Sequence, residues 1–426
     1  MNLSYTSKEK FFFFLISLYC FFVCFGNFFR LGVNESAPGF TSIIFFIVLI
    51  AFPFRGIRGI LSSSILISFL FLLLISLFSA VFYPGKIIIP MMNTGQLFCY
   101  LLMAGIAAHI SFDSVALKKI YFGLVFGLLL SSLITIVDYL KIYDFPFVND
   151  TEIVSKYGGA EAERAGGFFN RRSAMAANLS LFIPMVTIAA LEIKKGLGKI
   201  IMLVAAGAAF ICLFLTLNRS GILAIILVLM IFTAFNKEYG KIKKIKLGFI
   251  SSLIALLIGM VLYFYFPEHI EVYKVKLGIS DGGSMAGKGS RLAESDGARW
   301  FFFVEALKST LSSPIGHGFA VMYTKRYNYL DPHNIISYIV WATGWCGIAW
   351  VIYLFYSLRK ILKSNLLKKQ FNPYVNGIKY GLMSWLLNNM AHNNMHMGII
   401  WILLGIFISV SRNKPIVADE TIKIRV

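Results

Sequence analysis

The sequence predicts an all-α polytopic membrane protein, with about twelve transmembrane helices and one long outer loop that contains short helices. Three observations predict it. Of 426 residues, 58% are hydrophobic and only 14% charged, with a mean hydropathy of +0.76, which is too apolar for a water-soluble chain of this length. The apolar residues fall into runs long enough to cross a bilayer, where a helix satisfies its own backbone groups. Basic residues then gather beside alternate ends of those runs, as membrane orientation requires. The net charge of +20 is spread singly and in short groups between apolar runs, a distribution that fits bilayer orientation better than a nucleic-acid-binding face.

In chain order, Lys8 and Lys10 precede an apolar stretch from Phe11 to Phe29. No small-residue cleavage site follows it, so it reads as a retained first helix starting in the cytoplasm. Further spans are expected near 40–54, 60–83, 87–110 and 119–140, completing a scaffold over 1–140. A polar outer segment, 141–171, ends in RAGGFFNRR (Arg164–Arg172), and a span near 173–192 follows.

From Leu197 to Phe235 the chain is apolar for 39 residues, interrupted only by TLNRSG at Thr216–Gly221. One helix of that length would measure roughly 59 Å, about twice the hydrocarbon thickness. The stretch must therefore be a hairpin, with its turn at Asn218–Gly221 and Arg219 at the membrane surface. A basic group, Lys237–Lys246, and a span near 247–266 complete the region 141–266. The large outer loop covers 267–332, the C-terminal spans 333–411 and a polar cytoplasmic tail 412–426. The last two spans, near 375–391 and 397–411, enclose HNNMH (His392–His396).

Charge assigns the sides. The short outer connections hold few cations (Arg30, Lys86, Arg219), whereas the inner ones hold most of them, so both termini face the cytoplasm. Both long segments, Arg219 and His333 then share the outer side.

The chemistry-bearing candidates lie there. His333 and Asn334 open an apolar run that carries GxxG from Gly344 to Gly347 after nine residues. An imidazole with an ordinary pKa of about 6.5, where a polar loop re-enters the membrane, suits a general base; an interfacial cap is the plainer alternative. Arg219 between two apolar spans suits bidentate binding of a phosphate or diphosphate, against a snorkelling side chain that fixes hairpin depth. Arg299 follows Asp296-Gly297, where an amphipathic helix is expected to begin near Ala298, so the helix start and the guanidinium would favour an anion together. Arg164, Arg171 and Arg172 precede a span and read as weaker phosphate contacts or interfacial anchors.

Other motifs carry less. GGSMAGKG (Gly282–Gly289) lacks the Ser or Thr of a phosphate-binding loop and reads as flexible loop. His392 and His396 are one helical turn apart with no acidic third ligand nearby, and His317 has a weak claim; His109 and His269 have none. The five cysteines, Cys20, Cys24, Cys99, Cys212 and Cys346, lie in apolar runs, which indicates neither a disulfide framework nor a zinc site. No metal site or cofactor is expected.

GGFFNRRS (Gly166–Ser173), the arginine of LTLNRSGIL (Leu215–Leu223), the run from Gly297 through Pro314 to Gly318, and His333-Asn334 followed by GxxG resemble, in this order, the bacterial O-antigen ligase and O-antigen polymerase family. The resemblance covers about 165–350. It implies metal-independent, inverting glycosyl transfer from a polyprenyl-diphosphate-linked glycan at the periplasmic face of the inner membrane. On it, Arg219 and Arg299 hold the diphosphate, His333 activates the acceptor hydroxyl, and Arg164, Arg171, Arg172 and Asn334 contact substrate. Asn218 departs from the small hydroxyl residue often found before the arginine. The expected activity is that of the ligase, with lipid A-core as acceptor; the alternative is the polymerase, whose acceptor is a second lipid-linked glycan. A transporter of the same lipid is the rival from another class, and no internal repeat supports it.

Overall fold

The computed structural model describes residues 5–26, 39–145, 152–153, 163–165, 167–169, 172–193, 196–235, 267–270, 290–320, 334–363, 372–390 and 395–412; at 152–153, 163–164, 172–173, 235, 290–300 and 358–363 it describes the backbone alone. The expected span near 247–266, GGSMAGKG, His333, Arg171 and His392 lie outside the described residues.

Thirteen α-helices are labelled here: α1 (Ser7–Val23), α2 (Phe40–Ala51), α3 (Pro53–Leu61), α4 (Ser64–Ser79), α5 (Ile88–His109), α6 (Ser114–Tyr139), α7 (Arg172–Glu192), α8 (Leu197–Leu215), α9 (Arg219–Phe235), α10 (Ser290–Ser312), α11 (Ile335–Lys363), α12 (Pro373–Asn389) and α13 (Gly398–Arg412). The only strands among the described residues are a two-residue antiparallel ribbon, β1 (Glu152–Ile153) with β2 (Glu163–Arg164). The fold is otherwise helical.

Among the described residues six helices are long and apolar enough to cross a membrane: Ser64–Phe82, Ile88–His109, Ser114–Tyr139, Ala174–Glu192, Leu197–Leu215 and Ile335–Ser357. The expected span at 40–54 is instead a pair, α2 and α3, bent by 80°. Pro53 causes the break, because it has no amide to continue the ladder but fits the first turn of a new helix. The next span accordingly begins at Ser64 and not at 60.

Caps fix several helix starts. Thr6 and Glu9 form a reciprocal capping box on α1, and the Asp113 carboxylate accepts the Ala116 amide of α6 at 2.7 Å. Small residues let the helices approach closely, which is how apolar helices associate where no water drives them together. Gly123 and Gly127 of α6 lie against the backbone of Ser17 and Phe21 in α1, Gly377 and Gly381 of α12 against Met185 and Leu181 in α7, and Gly405 of α13 against Ala104 in α5. A core of Phe, Leu, Ile and Ala side chains runs through these contacts.

The pairing of α7 with α12 and of α6 with α8 aligns helix ends. The end of α6, the start of α7, the end of α8, the start of α9 and the end of α12 all lie at one end of the bundle.

Candidate functional site

The α8–α9 connection is built from Thr216, Leu217 and Asn218, so the turn falls slightly earlier than the expected Asn218–Gly221. Leu217 adopts φ 55°, a left-handed conformation uncommon for a residue with a side chain. Asn218 then caps the new helix, its Oδ1 accepting the Gly221 amide at 2.8 Å. The asparagine therefore preserves the turn, performing the capping that a small hydroxyl residue would perform. Arg219 is the first residue of α9 and is half-buried.

Three other segments reach this end. The Ala165 amide, directly after Arg164, donates to the Leu215 carbonyl at 3.1 Å. The Ala176 carbonyl, one turn into α7 from Arg172, is 3.7 Å from where a Gly221 Cβ would stand. His269, given no role from sequence, is buried at 2% exposure, with Nε2 3.1 Å from the Tyr139 hydroxyl and its ring against Phe214. Both long polar segments thus dock on the end of the bundle where Arg219 stands.

The start of α11 joins the same end. Asn334 caps it, its Oδ1 accepting the Ser337 amide at 2.6 Å, so the contact its side-chain oxygen shows is with the first turn of α11. One turn on, the Tyr338 hydroxyl is 3.2 Å from His396 Nε2, and the His396 carbonyl accepts the Tyr100 hydroxyl at 3.1 Å. His396 follows α12, whose Asn388 Oδ1 is 2.8 Å from the Ser220 hydroxyl. Two polar clusters therefore mark this end, one at the helix start beside His333 (Asn334, Tyr338, His396, Tyr100) and one at the helix start holding Arg219 (Asn218, Ser220, Asn388, Ser180). Sequence reading weighed His396 against a metal site and overlooked Asn388, although asparagines inside an apolar run were the available signal.

Arg299 requires a correction. α10 begins at Ser290, so Arg299 lies in its third turn and gains nothing from a helix N-terminus. A single internal glycine costs a helix only about 1 kcal/mol, and the apolar face of α10 repays this by burying Phe302 and Ala306 against Val340 and Trp341 of α11. The segment 267–332 therefore contains a helix of 23 residues and not only short ones.

After α10 the chain turns into α11 itself. At Gly344 (φ 58°, ψ −135°) α11 breaks, and the segment Ser313–Phe319 fills the gap. The Trp345 amide donates to the Pro314 carbonyl at 2.9 Å, the His317 amide to Trp341 at 3.0 Å and the Gly318 amide to Ala342 at 2.9 Å. Ser79 Oγ also donates to Ala342, at 3.0 Å, and the Phe319 amide donates to Ser76 Oγ at 3.1 Å. Backbone groups exposed by the break are thus satisfied inside the protein, as membrane depth demands. The Pro314–Gly318 run and the GxxG run, separate in sequence, form one joint.

His317 completes it. Nδ1 is 2.9 Å from the Phe82 carbonyl and the ring stacks 4.2 Å from Trp341. Burial lowers its pKa from the ordinary 6.5, opposed by the Phe82 bond.

The family model for O-antigen ligases matches residues 204–352, which hold most of α8, all of α9 and α10, and α11 past its break. No curated protein matches the chain. The matched stretch contains Arg219, Arg299, His333 and both halves of the joint at Gly344. Residues 204–352 of this chain are therefore similar to the O-antigen ligase family.

Proposed function

We propose that the chain is an O-antigen ligase of the bacterial inner membrane, with about twelve spans, cytoplasmic termini and a periplasmic active site, that transfers O-antigen from a polyprenyl diphosphate to lipid A-core. The observation that carries the reading is the meeting of the starts of α7, α9 and α11 at one end of the bundle, bringing the positions of Arg164, Arg172, Arg219 and Asn334 to one side. The short connections on the opposite side are the basic ones, as expected for the cytoplasmic face.

In the reaction, an acceptor hydroxyl attacks the anomeric carbon from the face opposite the diphosphate. The bond to the diphosphate oxygen breaks, its electron pair leaves with the lipid diphosphate, and the hydroxyl proton passes to His333. Arg219 and Arg299 stabilise the departing charge, where planar guanidinium forks suit diphosphate oxygens. Arg171 and Arg172, with Arg164, extend the positive surface, and Asn334 fixes the helix start from which His333 extends. Inversion at the anomeric carbon follows from a single displacement.

Deleting the chain tests this reading. The ligase reading expects lipid A-core without O-antigen while polymer accumulates on its lipid carrier. A single repeat unit attached to core would instead identify the polymerase, and unaltered lipopolysaccharide would overturn both.

A further inference from the structure

Asn388 is fully buried in the last turn of α12, where the helix meets α7 and α9. A primary amide at such depth is costly unless both of its arms are bonded. Both are: Nδ2 donates to Ser180 Oγ of α7 at 3.2 Å, and Oδ1 is 2.8 Å from the Ser220 hydroxyl of α9. That hydroxyl is also 2.9 Å from Asn218 Oδ1, the cap of α9. Its one proton is therefore shared between two carbonyl oxygens.

The residues gripped in this way flank Arg219 on both sides. Leu217 just before them is held at φ 55°, a conformation that costs about 1 kcal/mol or more and persists only where the surroundings over-determine it. From Asn388 the chain continues to His396, which meets Tyr338 one turn into the helix that Asn334 opens. Asn388 thus ties α12 to α7 and to the helix start bearing Arg219, and His396, eight residues later in the chain, meets the helix that follows His333.

We propose that Asn388 is a positioning residue for the diphosphate site: by bridging Ser180 and Ser220 it holds the first turn of α9, and so Arg219, at a fixed place relative to the start of α11. The inference deepens the ligase reading in that Arg219 is taken to bind diphosphate. It stands separately in that the bridge sets a distance whether or not a glycan is transferred.

The test uses the purified full-length chain in lipid nanodiscs with Cys99→Ala and Cys346→Ala, which removes the cysteines that are not buried, so that spin labels report from Leu223→Cys on α9 and Ile336→Cys in the first turn of α11. Asn388→Leu removes both arms; Asn388→Asp keeps the acceptor toward Ser220; Ser220→Ala removes the bond on the Arg219 side alone. The same proteins without labels are titrated with farnesyl diphosphate. The proposal expects a narrow distance distribution that broadens or shifts in Asn388→Leu and Ser220→Ala and less in Asn388→Asp. It also expects farnesyl diphosphate binding about tenfold weaker in Asn388→Leu, with less than about a twofold further loss when Arg219→Ala is already present. An unchanged distance in Asn388→Leu overturns the bridge, and equal losses with and without Arg219 overturn its action through that residue. If the unsubstituted chain does not bind farnesyl diphosphate, the diphosphate reading of Arg219 fails while the distance still decides the bridge.

Discussion

Trp345 donates its amide to the carbonyl of Pro314 across 2.9 Å, tying the segment before α11 into the interior of that long apolar helix. The tie exists because Gly344 interrupts α11 with a backbone conformation open to glycine and closed to residues with a Cβ. The Pro314 carbonyl occupies the space that a Cβ would need.

Gly344→Ala is therefore expected to destabilise the protein by about 3 kcal/mol or more, combining a forbidden backbone angle with a collision. Gly95→Ala, in α5 with nothing within 4 Å of the new Cβ, is the control. It should be neutral or stabilising by up to about 1 kcal/mol, as alanine is a better helix former. Thermal melts of the two detergent-purified variants check this; equal melting temperatures would remove the structural role assigned to the break.

The same joint should respond to acid through His317. Its folded pKa lies below 6.5, so the folded joint prefers the neutral ring. The stabilisation is complete above the unfolded value and is lost as pH falls through the lowered folded value. His317→Phe can still stack on Trp341 but cannot titrate. The melting temperature of the unsubstituted chain should fall faster than that of the variant as pH drops below 6.5; parallel curves would contradict the assignment.

Asn334 offers a smaller effect. Asn334→Ala leaves the Ser337 amide without its acceptor at 2.6 Å and should cost about 1 kcal/mol, while Asn334→Asp should restore most of it. Melting temperatures of the pair decide the point. Glycan transfer that falls with Asn334→Ala and recovers with Asn334→Asp would further tie the cap to the placement of His333.

Much of this was legible in the apolar runs. The break of the 39-residue stretch and a shared side for the two polar segments follow from bilayer thickness and charge alone, and the contacts of Ala165 and His269 bring both segments to the α8–α9 turn. Hydropathy could not reveal the 80° bend at Pro53, because both halves are apolar enough to sum to one span. The start of α10 was misplaced because Asp296-Gly297 reads as the lead-in to a helix beginning near Ala298, whereas packing of Phe302 and Ala306 on α11 outweighs a modest local propensity. The joint between Pro314 and Gly344 is a backbone-to-backbone contact and leaves only glycines as its trace. Asn388 carried a visible signal, a costly amide within an apolar run, that its neighbours in HNNMH obscured.

Arg219→Lys separates charge from geometry. Lysine keeps the cation but loses the planar fork, so transfer should fall by at least about tenfold if two diphosphate oxygens are gripped together. Membrane insertion should be unaffected. Full activity in that variant would show that a positive charge setting the hairpin's depth is sufficient.

The most direct measurement is transfer by His333→Ala in reconstituted vesicles supplied with lipid-linked O-antigen and lipid A-core, with the amount of folded protein matched to the unsubstituted chain. The imidazole is assigned as the group that takes the acceptor's proton, so the variant should bind the lipid donor and form no product. Product formed at the unsubstituted rate would contradict the account.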